Sequence, residues 1–186
     1  DLQFEPGELP PFSVLGNAVL DAPPDASGAP YPLVVYSHAH WSMGQEVPYF
    51  VEHLASRGFV VISVDHEDNW STDLGPLAFE AMLRRPQEVT RQIDFAESLA
   101  APEGDLAGII DTSAVGVTGW SMGGETSLEV AGARWDLSGL SAWCAENPDG
   151  AALNEWACVD LLGAEAEMAT AAGLEEPPQG LWPSVR

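Results

Sequence analysis

The stretch Val115-Gly116-Val117-Thr118-Gly119-Trp120-Ser121-Met122-Gly123-Gly124 decides the fold. A short β-branched run passes directly into Gly-x-Ser-x-Gly, and an apolar, helix-like stretch follows to about Ala133. Serine is a weak nucleophile and must be exposed to both a base and a substrate. A sharp strand–turn–helix elbow achieves this, and glycines two residues to either side of the serine leave room for the strained turn. The string alone is common. Its position between a buried strand and an apolar helix gives it meaning, and it makes Ser121 the candidate nucleophile. The helix N-terminus carries unpaired amides and a partial positive charge, so the Met122 amide is a candidate oxyanion donor.

Upstream of the elbow the chain alternates. Tyr31–Tyr36 reads as a buried strand, and residues 45–57 as a helix with Val47, Phe50, Val51, Leu54 and Ala55 on one face and Gly58 as its stop. Phe59–Val64 reads as a second strand, ending in the polar Asp65–Asn69 loop. Residues 76–100 read as a helical region interrupted near Pro86, and Asp111–Ala114 as a turn before the strand at Val115. Strand–helix alternation of this kind calls for a mostly parallel sheet covered by helices on both faces, with right-handed crossovers. Phe12–Leu20 reads as one strand or hairpin arm. After Arg134 no further strand is legible. Residues 135–182, rich in Ala, Glu, Trp and Gly, read as one or two helices around Cys144 and Cys158. The division is thus a core part, 1–134, and a cap, 135–186.

The net charge is -23, from 29 acidic residues against six basic ones, all arginine. Such a surface repels nucleic acid and anionic membranes, and favours solubility or tolerance of salt. No apolar run approaches a membrane span. A Cys144–Cys158 disulfide would close a loop of about 15 residues, worth roughly 3 kcal/mol in the chain-entropy model, and would fit a secreted or periplasmic location. Two reduced thiols in a cytosolic protein are the alternative. With no histidine nearby, the pair makes a poor zinc site, so no metal and no cofactor is expected.

In folds that use this elbow, the second oxyanion donor comes from the loop after the first buried strand, and the acid and histidine follow the serine in chain order. That loop is Ser37-His38-Ala39-His40-Trp41, which points to the backbone N–H of His40. All four histidines (His38, His40, His53, His66) precede Ser121, and Asp136, Asp149 and Asp160 follow no fourth core strand. The triad Asp and His therefore have no place in this chain. The apolar strand at Val115–Thr118 also reads as if paired on both edges, and an exposed apolar edge is an aggregation hazard. The expectation is a second chain, from the same precursor and cut near Arg186, that completes the sheet and carries the acid and the histidine.

Several segments together resemble a known group. Tyr36-Ser-His-Ala-His-Trp41, Glu52-His-Leu-Ala-Ser-Arg-Gly-Phe-Val-Val61, Val64-Asp-His-Glu-Asp68, Arg85-Pro-Gln-Glu-Val89, Val115–Gly124 and the run from Asp136 to Asp149 are similar to the platelet-activating-factor acetylhydrolase and dienelactone-hydrolase-like branch of α/β hydrolases. The Ser-Met-Gly-Gly elbow is shared with polyester-cleaving cutinases. The resemblance covers about residues 31–160. It implies a three-layer α/β-hydrolase sandwich, a Ser-Asp-His triad and acyl-enzyme chemistry on carboxylic esters, with Ser121 as nucleophile and the Met122 and His40 amides as oxyanion hole. Ala39 stands where glycine is usual, and Trp120 where histidine is common, its ring expected beside the elbow. Trp41 and Trp120 are the candidate substrate contacts. Trp135, Trp143, Trp156 and Trp182 either line an acyl pocket or anchor the cap. The substrate would be a small or polymeric ester. Lactone, thioester or amide hydrolysis, or an inactive binding protein of the same fold, are the alternatives.

Overall fold

The computed structural model describes residues 16–74 and 78–182. Strands β1 (Tyr31–Ser37) and β2 (Val60–Ile62), the short hairpin β3 (Asn69–Trp70) and β4 (Asp73–Leu74), and β5 (Ile110–Gly119) alternate with helices α1 (Pro48–Ser56), α2 (Ala78–Ala100) and α3 (Met122–Val130). β2, β1 and β5 form a parallel sheet in that order, with Leu33 opposite Val60 and Ser37 opposite Gly119. Central β1 carries the β-branched, almost continuously buried sequence of a strand covered on both faces. Leu33 and Val35 pack with Val89, Ile93 and Ala96 of α2, while Tyr36, on the opposite face, meets Phe50 of α1 at 6.2 Å between ring centroids. The result is a three-layer α/β arrangement, as the alternation implied.

Three boundaries differ from the sequence reading. Asp111–Ala114 is not a separate turn but an irregularity inside β5. Pro32 pairs with Asp111 and Leu33 with Val115, so three residues bulge out, and Asp111 Oδ1 accepts from the Ser113 amide at 2.9 Å. The helix at 78–100 runs unbroken through Pro86. A mid-helix proline costs about 3 kcal/mol, but two separate clusters hold its flanks: Met82 and Leu83 on one side, Val89 and Ala96 on the other. Third, the helix after the elbow ends at Val130. Of the Phe12–Leu20 stretch, residues 12–15 lie outside the described residues and 16–20 form no strand. Residues 76–77, Arg186 and the expected cut beside it also lie outside them.

Beyond Arg134 come α4 (Leu137–Glu146), α5 (Pro148–Leu153), a π-helical segment (Trp156–Leu161) and α6 (Glu165–Ala171), more pieces than the one or two helices expected. Asp136 caps α4 by accepting from the Gly139 amide at 2.8 Å. The two ends of the segment meet: the Trp182 amide donates to the Trp135 carbonyl at 2.7 Å, and Arg134 Nε to the Trp182 carbonyl at 2.5 Å. Leu137, Leu161, Met168 and Trp182 share a buried cluster with Met82, Leu83 and Met122. Each such side chain contributes about 1.5–3 kcal/mol on burial, so the segment is fastened to α2 and α3. A Cys144–Cys158 disulfide ties α4 to the π-helical segment. Among the described residues, no helix is long and apolar enough to cross a membrane.

Candidate active site

Ser121 occupies the turn between β5 and α3 with φ 53° and ψ -119°, a left-handed conformation that costs a non-glycine residue on the order of 1–3 kcal/mol. The two glycines of the motif permit it. A Cβ on Gly123 would fall on the Ser37 carbonyl and lie 2.9 Å from the His38 carbonyl oxygen, and one on Gly119 would strike both Gly123 and Ser37. The elbow is therefore pressed against the end of β1, where Trp120 N–H donates to the Ser37 carbonyl at 3.3 Å. Ser121 itself is exposed.

The loop after β1 is the second half of the site. A turn closes from the Ala39 carbonyl to the Ser42 amide at 3.2 Å, with Trp41 at φ 59°. Glu46 Oε1 accepts from the Ala39 amide at 3.0 Å and from the Tyr36 hydroxyl at 2.6 Å. Among the described residues, the amides of His40 and Met122 donate to nothing within the chain.

Beneath the loop lies a buried polar layer. The Ser37 hydroxyl pairs with His66 Nε2 at 2.8 Å, and His66 Nδ1 with Glu88 Oε2 at 2.5 Å. His38 Nδ1 donates to the Ala39 carbonyl at 2.7 Å, and its Nε2 accepts from the His66 amide at 2.9 Å. Burial lowers the pKa of both rings, that of His38 to about 4, so both are neutral at pH 7. Arg85, fully buried, binds the carbonyls of His38 and Ala39 and the side chain of Asn69. Sequence reading missed the roles of Arg85, Glu88, His66 and Glu46. The available signal was Arg85 and Glu88 standing on the same helical face as apolar Val89.

Among the described residues none of the four histidines is hydrogen-bonded to Ser121. His38 and His66 belong to the buried layer, His40 Nδ1 pairs with Asn69 Nδ2 at 2.8 Å, and His53 is exposed on α1. Among the described residues, no side chain is hydrogen-bonded to the Ser121 hydroxyl, and no three His, Cys, Asp or Glu side chains converge as metal ligands would. The tryptophans separate as well. Trp120 is 67% exposed rather than packed beside the elbow. Trp182 and Trp135 anchor the helical segment. Trp41 and Trp156 line an open cleft of about 560 Å³ together with His40, Phe79, Asp160 and Glu167, and the Phe79 and Trp156 rings lie 5.8 Å apart.

Residues 11–150 match the family model described as PET hydrolase-like. Among solved structures, a ferulic acid esterase from Streptomyces cinnamoneus is 27% identical over a match covering 55% of this chain and 33% of that one, with a TM-score of 0.47. The chain thus spans about a third of the length of that structure. No curated protein matches it.

Proposed function

The chain belongs to the PET hydrolase-like family of α/β-hydrolase esterases, and on that premise we propose that it carries the nucleophile half of a serine ester hydrolase. The observation that carries the reading is the conformation of Ser121, an exposed residue held in a strained turn at the N-terminus of α3, together with the Met122 and His40 amides, which have no partner among the described residues. Ser121 Oγ attacks the ester carbonyl carbon and loses its proton to a histidine. The Met122 and His40 N–H groups receive the developing oxyanion, a stabilisation typically worth about 3–4 kcal/mol for one donor. The alcohol departs with the proton, and water then cleaves the acyl-enzyme to release the acid and the free serine.

The histidine and its acid come from outside these 186 residues. The reading rests on the commitments of His38, His40 and His66 and on β5, which among the described residues pairs only with β1. A second chain or segment of the same precursor would add strands to that edge and bring the base to Ser121. The aromatic cleft beside His40 suits an uncharged aromatic group of the ester, and Asp160 and Glu167 on its rim disfavour anionic ones. The disulfide fits secretion.

Fluorophosphonate labelling, with intact-mass measurement of every chain in the natural preparation, tests the proposal. Label on Ser121 beside a histidine-bearing partner is the expected result. A single unlabelled chain would favour the second reading, an inactive binding protein of this fold. The absence of any histidine bonded to Ser121 among the described residues is the feature on its side.

A further inference from the structure

Arg85 poses a physical problem. Its guanidinium is fully buried on α2, yet it forms no ion pair within 4 Å among the described residues. A buried charge is costly and is retained where its hydrogen bonds do something an apolar side chain could not. Its bonds run to the loop after β1 and to Asn69. Nη1 donates to the His38 carbonyl at 2.5 Å and Nη2 to the Ala39 carbonyl at 3.2 Å, with Nη2 also held by the side chain of Asn69.

The Ala39 carbonyl belongs to the same peptide group as the His40 N–H. Two buried donors converge on it, Arg85 Nη2 and His38 Nδ1. A carbonyl that accepts hydrogen bonds makes its own peptide N–H a stronger donor, because the group polarises as a unit. His38 is fixed in the tautomer this requires, since the His66 amide already donates to its Nε2. The depressed pKa of His38 keeps that arrangement intact at neutral pH.

We propose that Arg85 and His38 are positioning residues that orient and polarise the Ala39–His40 peptide, making its N–H a preorganised oxyanion donor. The proposal rests on the serine-hydrolase reading above and adds to it the residues that set the strength of one oxyanion contact. Neither residue need touch substrate.

The test uses the full protein with Arg85→Met, Arg85→Lys, His38→Leu and His38→Asn. Arg85→Met and His38→Leu should each lower kcat by about tenfold or more, short of the hundredfold or greater loss of a whole oxyanion donor. KM should stay within about twofold, since the contact tightens only in the transition state. The affinity of a boronic acid, which places a tetrahedral oxygen in the oxyanion hole, should fall by the same factor as kcat. The donor-retaining Arg85→Lys and His38→Asn should recover part of each loss. A merely structural role would instead lower the melting temperature while leaving boronate affinity and kcat unchanged in the folded fraction, and that result would overturn the proposal. Ser121→Ala separates the two claims. If it retains activity the serine reading fails, whereas a dead Ser121→Ala beside a fully active Arg85→Met fails only the present inference. Carbonyl and amide NMR of the full protein decides the point independently of turnover. The Ala39 carbonyl carbon and His40 amide nitrogen should both shift in Arg85→Met and His38→Leu, and unchanged resonances would sink the idea.

Discussion

Two serines stand at the carboxyl ends of neighbouring parallel strands, Ser37 closing β1 and Ser121 two residues past β5, and their surroundings are opposite. Ser37 has a complete hydroxyl–imidazole–carboxylate relay through His66 and Glu88, with ordinary strand geometry and no exposure. Ser121 has exposure, a strained backbone and two free amides, and among the described residues no base. The relay alone resembles a catalytic triad, yet no substrate can reach Ser37. Backbone strain costs stability and clusters at functional sites, which supports the proposal that Ser121, rather than Ser37, is the nucleophile. On that proposal the relaxed relay is scaffolding for the loop that carries the His40 amide.

The largest contrast should appear when each hydroxyl is removed. In the complete enzyme, Ser121→Ala is expected to lower kcat by roughly four to six orders of magnitude and to abolish fluorophosphonate labelling. Ser37→Ala should leave labelling intact and cost about 1–3 kcal/mol of stability, because His66 Nε2 loses its buried partner. Steady-state kinetics with denaturant unfolding of both variants checks this. Label on Ser37 would reverse the assignment.

The two serines also touch through Gly123. A Cβ there would meet the Ser37 carbonyl and the His38 carbonyl, all backbone atoms that cannot swing aside. Gly123→Ala should therefore push the elbow away from β1. A displacement of about 1 Å costs on the order of a hundredfold in rate, and overpacking adds about 1–3 kcal/mol of destabilisation. An alanine variant with parental kcat and melting temperature would show that the elbow is not seated on Ser37 as described.

The contrast also marks what the sequence made legible. Ser121, its glycines, the three parallel strands and the donor loop obey local rules, in which a β-branched run, a glycine spacing and a helix start each announce themselves over a few residues. The buried layer does not. Arg85 and Glu88 sit on one helix, His66 follows β2 and Ser37 ends β1, so their meeting depends on sheet register and helix docking, separated by 22 residues or more in the key pairs. Pro86 misled for the same reason, since its local penalty is offset by clusters formed far away in sequence. The aromatic cleft needed the docking of the π-helical segment, a geometry with no sequence period to read.

A smaller effect concerns the acid of the buried relay. Glu88→Ala removes the acceptor of His66 Nδ1 and should cost about 1–3 kcal/mol, a drop of a few degrees in melting temperature for a chain of this size. Glu88→Gln keeps an acceptor and should lose less than half of that. The nearest cation, Arg91, lies 4.0 Å away and is largely exposed, so it adds little. Equal losses in the two variants would mean that charge, rather than the hydrogen bond, holds the relay.

The smallest effect is a slope with pH, and it distinguishes the carboxylates behind the two serines. Glu125 lies one turn past Ser121, and its buried Oε1 has no partner among the described residues. Burial first, then the neighbouring Glu129 charge, raise its pKa to about 8, with Arg85 opposing. Burial likewise raises Glu129 to about 7, although the Trp135 indole bonded to it pulls the other way. In the unfolded chain both titrate near 4.5. Above that pH the unfolded state has released protons that the folded state still holds, so stability falls as pH rises from about 4.5 toward 8. His38 has the opposite sign. Its folded pKa of about 4 lies below the unfolded 6.5, so its contribution is present above pH 6.5 and is lost as pH falls toward 4. Between pH 6.5 and 8 the glutamates act without His38, and there Glu125→Gln should flatten the decline in melting temperature, while between about pH 4.5 and 6.5 it should steepen the rise that His38 gives. A decline of undiminished slope would mean that Glu125 is ionised in the fold, and that the helix behind Ser121 tolerates a charge its surroundings do not pair.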